Sequence, residues 1–250
     1  MDKTGPLKVL VLTSCAGEKK FNPPNSALVK DLDDLELRQK KDAELGNYKT
    51  TAREMFISSQ NKMIMEGLSY LPAQETVKTD IAFITSGYGY LNEDDEVIPY
   101  DVNFSAMTMH ELDNRTEILK LHEETFYHAK NYDIVLFLLG YEYLRALKLP
   151  LPLPAETRQI FFISPSDEKV LPDQSNICVV LTGVEEAAKF SIKPAELKGY
   201  FFKQLCLSAK NDEKLFAKIY NKPQLIEQII QKHAKSLSDK TSDQLKLFDF

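Results

Sequence analysis

Five short apolar runs, separated by stretches of helical periodicity, constrain this chain more than any other feature of its sequence. They fall at residues 7–13, 81–86, 133–140, 159–164 and 176–182. Each is rich in Val, Ile, Leu or Phe and breaks into a turn carrying Gly, Ser or Pro, which is how a strand buried on both faces reads. Between them, apolar residues recur every three or four positions. In 50–71 the stripe is Ala52, Met55, Phe56, Ser59, Met63, Gly67, Leu68 and Leu71. In 105–129 it is Leu112, Leu119, Phe126 and Ala129, and shorter helices are predicted over 142–148 and 184–190. Strands alternating with helices predict an α/β fold: a mostly parallel sheet with helices on both faces, spanning residues 1–192.

From 193 onward the pattern changes to three consecutive helical segments, 194–207, 212–220 and 223–237. Pro194 and Pro223 each suit a first helical position, and Leu225, Ile226, Ile229, Ile230 and Ala234 make the last segment amphipathic. These helices are expected to pack on the same body, with 238–250 as a polar tail. Residues 28–47 are highly charged, with few apolar positions, and read as an exposed insertion.

The chain has 250 residues, enough for one large domain, and no apolar run approaches the roughly 18 residues of a membrane span. Together with the lack of a secretory leader pattern, this predicts a cytoplasmic protein with no membrane association. Cys15, Cys178 and Cys206 have no paired spacing, and His110, His122 and His128 recur at helical intervals in a polar segment, so no metal site and no cofactor are expected. The net charge of −6 argues against a surface that coats nucleic acid. Its distribution is uneven: from Lys198 onward ten lysines face six acids, leaving −10 on the remainder. A local phosphate-binding face on the C-terminal part is therefore compatible with an acidic body, because screening confines each patch to about 10 Å.

Two strand ends carry the site candidates. Ile81–Thr85 leads into Ser86-Gly-Tyr-Gly-Tyr, four acids from Glu93 to Glu96, and Pro99-Tyr100-Asp101. Gly87 and Gly89 permit backbone angles closed to other residues, and burying four acids would be costly, so an irregular loop is expected here. The first strand ends in Ser14-Cys15-Ala16-Gly17-Glu18-Lys19-Lys20, where small residues let an anionic or planar ligand approach the backbone. Lys19 or Lys20 would add positive charge or, once desolvated, a nucleophilic amine. The Gly spacing and the Lys-Ser/Thr pair of a P-loop are missing. Ligands of α/β sheets bind beyond the carboxyl ends of strands, so both loops are expected at one rim. Lys19, Lys20 and Asp101 are the candidate catalytic residues. Ser14, Cys15, Ser86, Gly87, Tyr88, Gly89 and Tyr100 are the candidate substrate contacts.

The Ser86-Gly-Tyr-Gly-Tyr-Leu91 and Val97-Ile-Pro-Tyr-Asp101 stretches, with Lys193-Pro-Ala-Glu-Leu-Lys-Gly-Tyr-Phe-Phe202, resemble the YaaA family of peroxide-stress proteins. That family carries a Gly-x-Leu-x-x-x-Asp-x-x-x-Pro-Tyr stretch and a late Pro-Glu-x-Leu-x-Gly…Gly-Tyr-Phe-Phe stretch. The Ser-Cys-x-x-x-Lys-Lys start is similar to bacterial and phage proteins beginning Ser-Cys-Gly-Lys-Lys-Lys. The resemblance implies an α/β domain that binds DNA and a role in the oxidative-stress response or DNA repair. Near the C-terminus, Gln244-Leu245-Lys246-Leu247-Phe248 resembles the short motif by which bacterial polymerases and repair proteins dock on the sliding clamp. Leu245, Leu247 and Phe248 would enter an apolar pocket, worth about 5–8 kcal/mol gross, while Gln244 bonds at the rim.

Three functions follow. One is N-glycosyl or deoxyribosyl chemistry on a nucleic-acid base, with Tyr88 or Tyr100 stacked on the base and Asp101 stabilising positive charge on the sugar or activating water. Another is a non-catalytic DNA-associated stress protein whose lysine-rich C-terminal helices hold phosphates. The last is an enzyme acting on a free nucleotide or sugar phosphate, with the Ser14–Lys20 turn as anion site.

Overall fold

The computed structural model describes residues 5–71 and 76–233. The first strand, β1 (Leu7–Ser14), leads into the charged insertion, which forms α1 (Val29–Asp33) and α2 (Leu35–Glu44). A two-residue strand β2 (Thr50–Thr51), α3 (Ala52–Met55) and α4 (Ser59–Leu68) complete the first crossover. Then come β3 (Val77–Thr85), β4 (Gly89–Asn92), β5 (Glu96–Val97), α5 (Met109–Ile118) and α6 (Leu121–Ala129). The last strands and their helices are β6 (Ile134–Phe137), α7 (Tyr141–Ala146), β7 (Arg158–Ile163), β8 (Ile177–Leu181) and α8 (Val184–Lys189). α9 (Leu197–Asn211), α10 (Leu215–Asn221) and a further helix over 225–233 close the described chain.

Six strands form one sheet in the order β4-β3-β1-β6-β7-β8, parallel throughout except for β4, which runs antiparallel to β3. This is the α/β architecture that the alternating pattern predicts. Val9, Leu10, Val11 and Leu12 alternate between the two faces of β1 and are all at most 1% exposed, so both faces of the sheet are covered. The C-terminal helices join this body through a close crossing of α9 on α4. At Gly199 a Cβ would stand 2.5 Å from the Gln60 carbonyl oxygen, and at Gly67 one would stand 3.0 Å from the Lys203 Cα. Only glycine allows the two backbones to come this near.

The helices expected over 50–71 and 105–129 are each divided in two. At the first break the chain bridges to the loop after β1, with Lys20 N–H donating to Met55 O at 2.9 Å and Ile57 N–H to Glu18 O at 3.0 Å. Ser58 then caps α4, its hydroxyl accepting from Asn61 N–H. At the second break Lys120 adopts φ 46°, a left-handed conformation that ends one helix before the next begins.

The irregular loop expected after Gly87 is instead a hairpin, because Gly89 (φ 77°) turns the chain straight back along β3. β5 then pairs with β2. The acids stay at the surface, Asp94 and Glu96 exposed and Glu93 and Asp95 half-buried, and three of them are held by partners. Glu93 pairs with Arg53 at 2.9 Å and Glu96 with Lys49 at 2.8 Å, while the Asp95 carboxylate accepts from Asn92 N–H at 2.7 Å. Both cations come from the short segment that follows the charged insertion. Among the described residues no helix is long and apolar enough to cross a membrane.

Candidate functional site

Counting only the parallel strands, the order is second, first, third, fourth, fifth, so the winding direction reverses between β1 and β6. Crevices at such a reversal, beyond the carboxyl ends of the strands, are where α/β sheets hold ligands. A cavity of about 380 Å³ opens there. The loop after β1 supplies Cys15 to Lys19 and Asn22, the loop after β5 supplies Asp101 to Asn103, and α7, which begins just past β6, supplies Tyr143.

The backbone carrying these groups is anchored from below. Asn61, 1% exposed on α4, accepts from the Thr13 hydroxyl at 2.8 Å and donates to Ser14 O at 3.1 Å and Phe56 O at 3.2 Å. Removing its side chain leaves buried carbonyls unmatched, so Asn61→Ala is expected to cost about 2 kcal/mol, read as a lower denaturant midpoint. From Ala16 to Lys19 the loop N–H groups have no partner among the described residues. Gly17, at φ 91°, turns the loop there. Successive free N–H groups of this kind form a concavity suited to anions.

Asp101 is exposed on the cavity wall, and its backbone is fixed by N–H donation to Ala27 O at 2.8 Å in a parallel bridge between Ala27 and Tyr100. The ammonium of Lys19 lies 4.6 Å from the centroid of the Tyr100 ring, a cation–π contact that holds its stem in place. The Cys15 thiol, 3% exposed, sits 3.3 Å from the Tyr143 hydroxyl and 3.8 Å from that of Ser86. Burial, with Cys15 alongside, pushes the Tyr143 phenol far above its ordinary value, so this hydroxyl stays protonated.

Lys19, Asp101 and Cys15 thus share one cavity, although they come from chain segments more than eighty residues apart. Ser14 lines an adjoining cavity of about 280 Å³ on the other side of the Ala16–Glu18 loop, next to the start of α4 and to Glu196. The remaining candidates lie off the wall. Lys20 points outward and pairs with Glu54 at 2.8 Å. The Ser86 hydroxyl is buried and donates to Val102 O at 2.7 Å, which supports the Asp101 loop from beneath. Gly87 lies against the Tyr100 ring, where a Cβ would meet a ring carbon at 2.8 Å. Gly89 opens β4. Tyr88 is half-buried, its ring 5.4 Å from that of Tyr100 and 5.2 Å from the Arg38 guanidinium, and burial pushes its phenol up to about 12. Tyr100 is 1% exposed beneath Lys19, so neither its ring nor its hydroxyl is open to a base. The hairpin carries Tyr88 and Gly89 away along the sheet edge. Gln244, Leu245, Leu247 and Phe248 lie outside the described residues.

Tyr143, Asn103, Asn22 and Arg115 escaped the sequence reading. Tyr143 follows the Gly140 that ends an apolar strand, and Asn103 lies two residues past Asp101; both positions signal a strand-end loop. Nothing in the local pattern marks Arg115, which is 3% exposed and donates to Ser86 O at 2.9 Å and Gly87 O at 2.6 Å while pairing with Asp33.

Lys198 donates to Leu139 O just beyond β6, and burial pushes its ammonium down from 10.5 to about 8, against the attraction of Asp167 and Glu142. Between those two pH values the unfolded chain binds more protons than the folded one, so this group's contribution to stability rises with pH across the window. The rise is expected to be missing from the stability curve of Lys198→Met and present in the difference between wild type and variant, measured by denaturation at pH 7 to 9.5. Compared with known proteins, the chain matches no family model and none of the curated proteins.

Proposed function

We propose that the chain cleaves or transfers the N-glycosyl bond of a nucleoside or nucleotide in the cavity between β1 and β6. The observation that carries this reading is the placement of a carboxylate on a fixed backbone, Asp101, and an ammonium held over the Tyr100 ring, Lys19, on one polar cavity with Asn22, Asn103 and Tyr143. A volume of about 380 Å³ suits a base and its sugar and excludes a duplex.

In hydrolysis the bond from C1′ to the base nitrogen breaks with its electron pair going to the base, and positive charge builds on the sugar ring. The Asp101 carboxylate stabilises that charge and takes the proton of the attacking water, whose oxygen bonds to C1′. Lys19, as ammonium, stabilises the departing base, which takes up a proton from solvent, while Asp101 returns to solvent the proton it took from the attacking water. Asn22 and Asn103 offer donors and acceptors for sugar hydroxyls. Ala16–Lys19 N–H groups suit a phosphate, which would make a nucleotide a better substrate than a nucleoside. Base release is followed by chromatography with a panel of nucleosides and nucleotides. Release from one of them supports the reading, and release from none defeats it.

The resemblance to YaaA proteins supports a second reading, a DNA-associated role in damage or oxidative stress, with the tail on a sliding clamp. The hydrolase would then act on a nucleoside or nucleotide arising from nucleic acid. A clamp pull-down with and without residues 244–250 tests the tail, and equal capture excludes it.

A further inference from the structure

At the opposite end of the sheet, where the parallel strands begin, lies another cavity, of about 420 Å³. Lys8 on β1 and Lys78 on β3 are partners in parallel register, so two ammonium groups project side by side from adjacent strands. Like charges in neighbouring register destabilise a sheet unless something neutralises them. Lys130 brings a third cation to the same cavity. Among the described residues Lys8 and Lys130 have no carboxylate within ion-pair distance, and Lys78 has Asp80 at 3.7 Å. That carboxylate is already shared, since its oxygen accepts from the Tyr132 hydroxyl at 2.8 Å. Lys130 follows the C-terminus of α6, where a cation is favoured; Lys8 and Lys78 have no such reason.

Aromatic groups flank the cations. Tyr127, 61% exposed, stands edge-on to His128, and the Lys130 ammonium lies 4.5 Å from the Tyr127 ring centroid. The His128 ring is stacked on Tyr90 with centroids 4.4 Å apart and planes 3° from parallel. Clustered lysines beside an open aromatic face are the pairing by which phosphate and base are held together.

We propose that this cavity is a second binding site, taking the phosphates of a nucleotide on Lys8, Lys78 and Lys130 and its base on Tyr127. The nucleotide is either free or part of a single strand, since both present the same chemistry. The site stands at the far end of the strands from Asp101 and does not depend on that residue's role.

Fluorescence anisotropy with a labelled nucleoside triphosphate and with a labelled short single-stranded oligonucleotide tests it. Lys8→Gln combined with Lys78→Gln is expected to weaken binding at least about tenfold and to lower the slope of log affinity against log salt by about 1.4. Tyr127→Ala, an exposed change that leaves the charges in place, is expected to weaken it roughly fivefold or more. Tighter binding of the triphosphate identifies a free nucleotide as the ligand, and tighter binding of the oligonucleotide identifies a strand. Base release at the Asp101 cavity is unchanged in these variants. The proposal is overturned if wild type binds neither probe or if the lysine and tyrosine variants bind as wild type does.

Discussion

Asp101→Asn is expected to lower base release by about 10²- to 10⁴-fold while leaving nucleotide binding nearly unchanged. The amide fills the same space on the same fixed backbone, so ligand shape recognition survives, but it carries no charge to stabilise the sugar cation and accepts no proton from water. The effect belongs in kcat and not in KM, because the interaction is made in the transition state. Lys20→Ala supplies the internal control: its ammonium pairs outward with Glu54 and leaves the rate as it was, whereas Lys19→Ala lowers it. Equal losses for both lysines would contradict the assignment.

Arg115→Ala is expected to cost about 3–5 kcal/mol, a large part of the 5–15 kcal/mol typical of a domain. The guanidinium is 3% exposed, and its removal strands the Ser86 and Gly87 carbonyls and leaves the Asp33 carboxylate, 29% exposed, without its partner. The loss appears as a lower denaturant midpoint with little change in slope. It also reaches the site, since Gly87 packs on the Tyr100 ring and the Ser86 hydroxyl holds Val102 O beside Asp101. Activity is therefore expected to fall at temperatures where the variant is still folded. A midpoint shift equivalent to less than about 1 kcal/mol would show that the turn carries itself.

The central parallel strands were legible because they are buried on both faces and so read as unbroken apolar runs, as Val9–Leu12 and Ile134–Phe137 do. Edge strand β4 was not, since Gly89-Tyr-Leu-Asn carries turn residues and owes its structure to pairing with β3. The division at Phe56–Ser58 was equally hidden: it is fixed by bonds to Glu18 and Lys20, some forty residues earlier. Within the site, Lys19 and Asp101 could be placed at one rim because strand ends converge in this architecture. Which of two adjacent lysines faces inward, and that Tyr100 is covered, depend on side-chain packing that no local pattern records. The cations that pair with the acidic block, Lys49 and Arg53, come from another part of the chain, so no local pattern marks them.

Co-crystallisation with a C-nucleoside monophosphate, whose carbon–carbon glycosyl bond resists cleavage, tests the central claim most directly. The account predicts the compound in the cavity between β1 and β6, its anomeric carbon facing the Asp101 carboxylate and its phosphate on the Ala16–Lys19 N–H groups. Density for the compound elsewhere on the protein, with that cavity holding solvent, would contradict it.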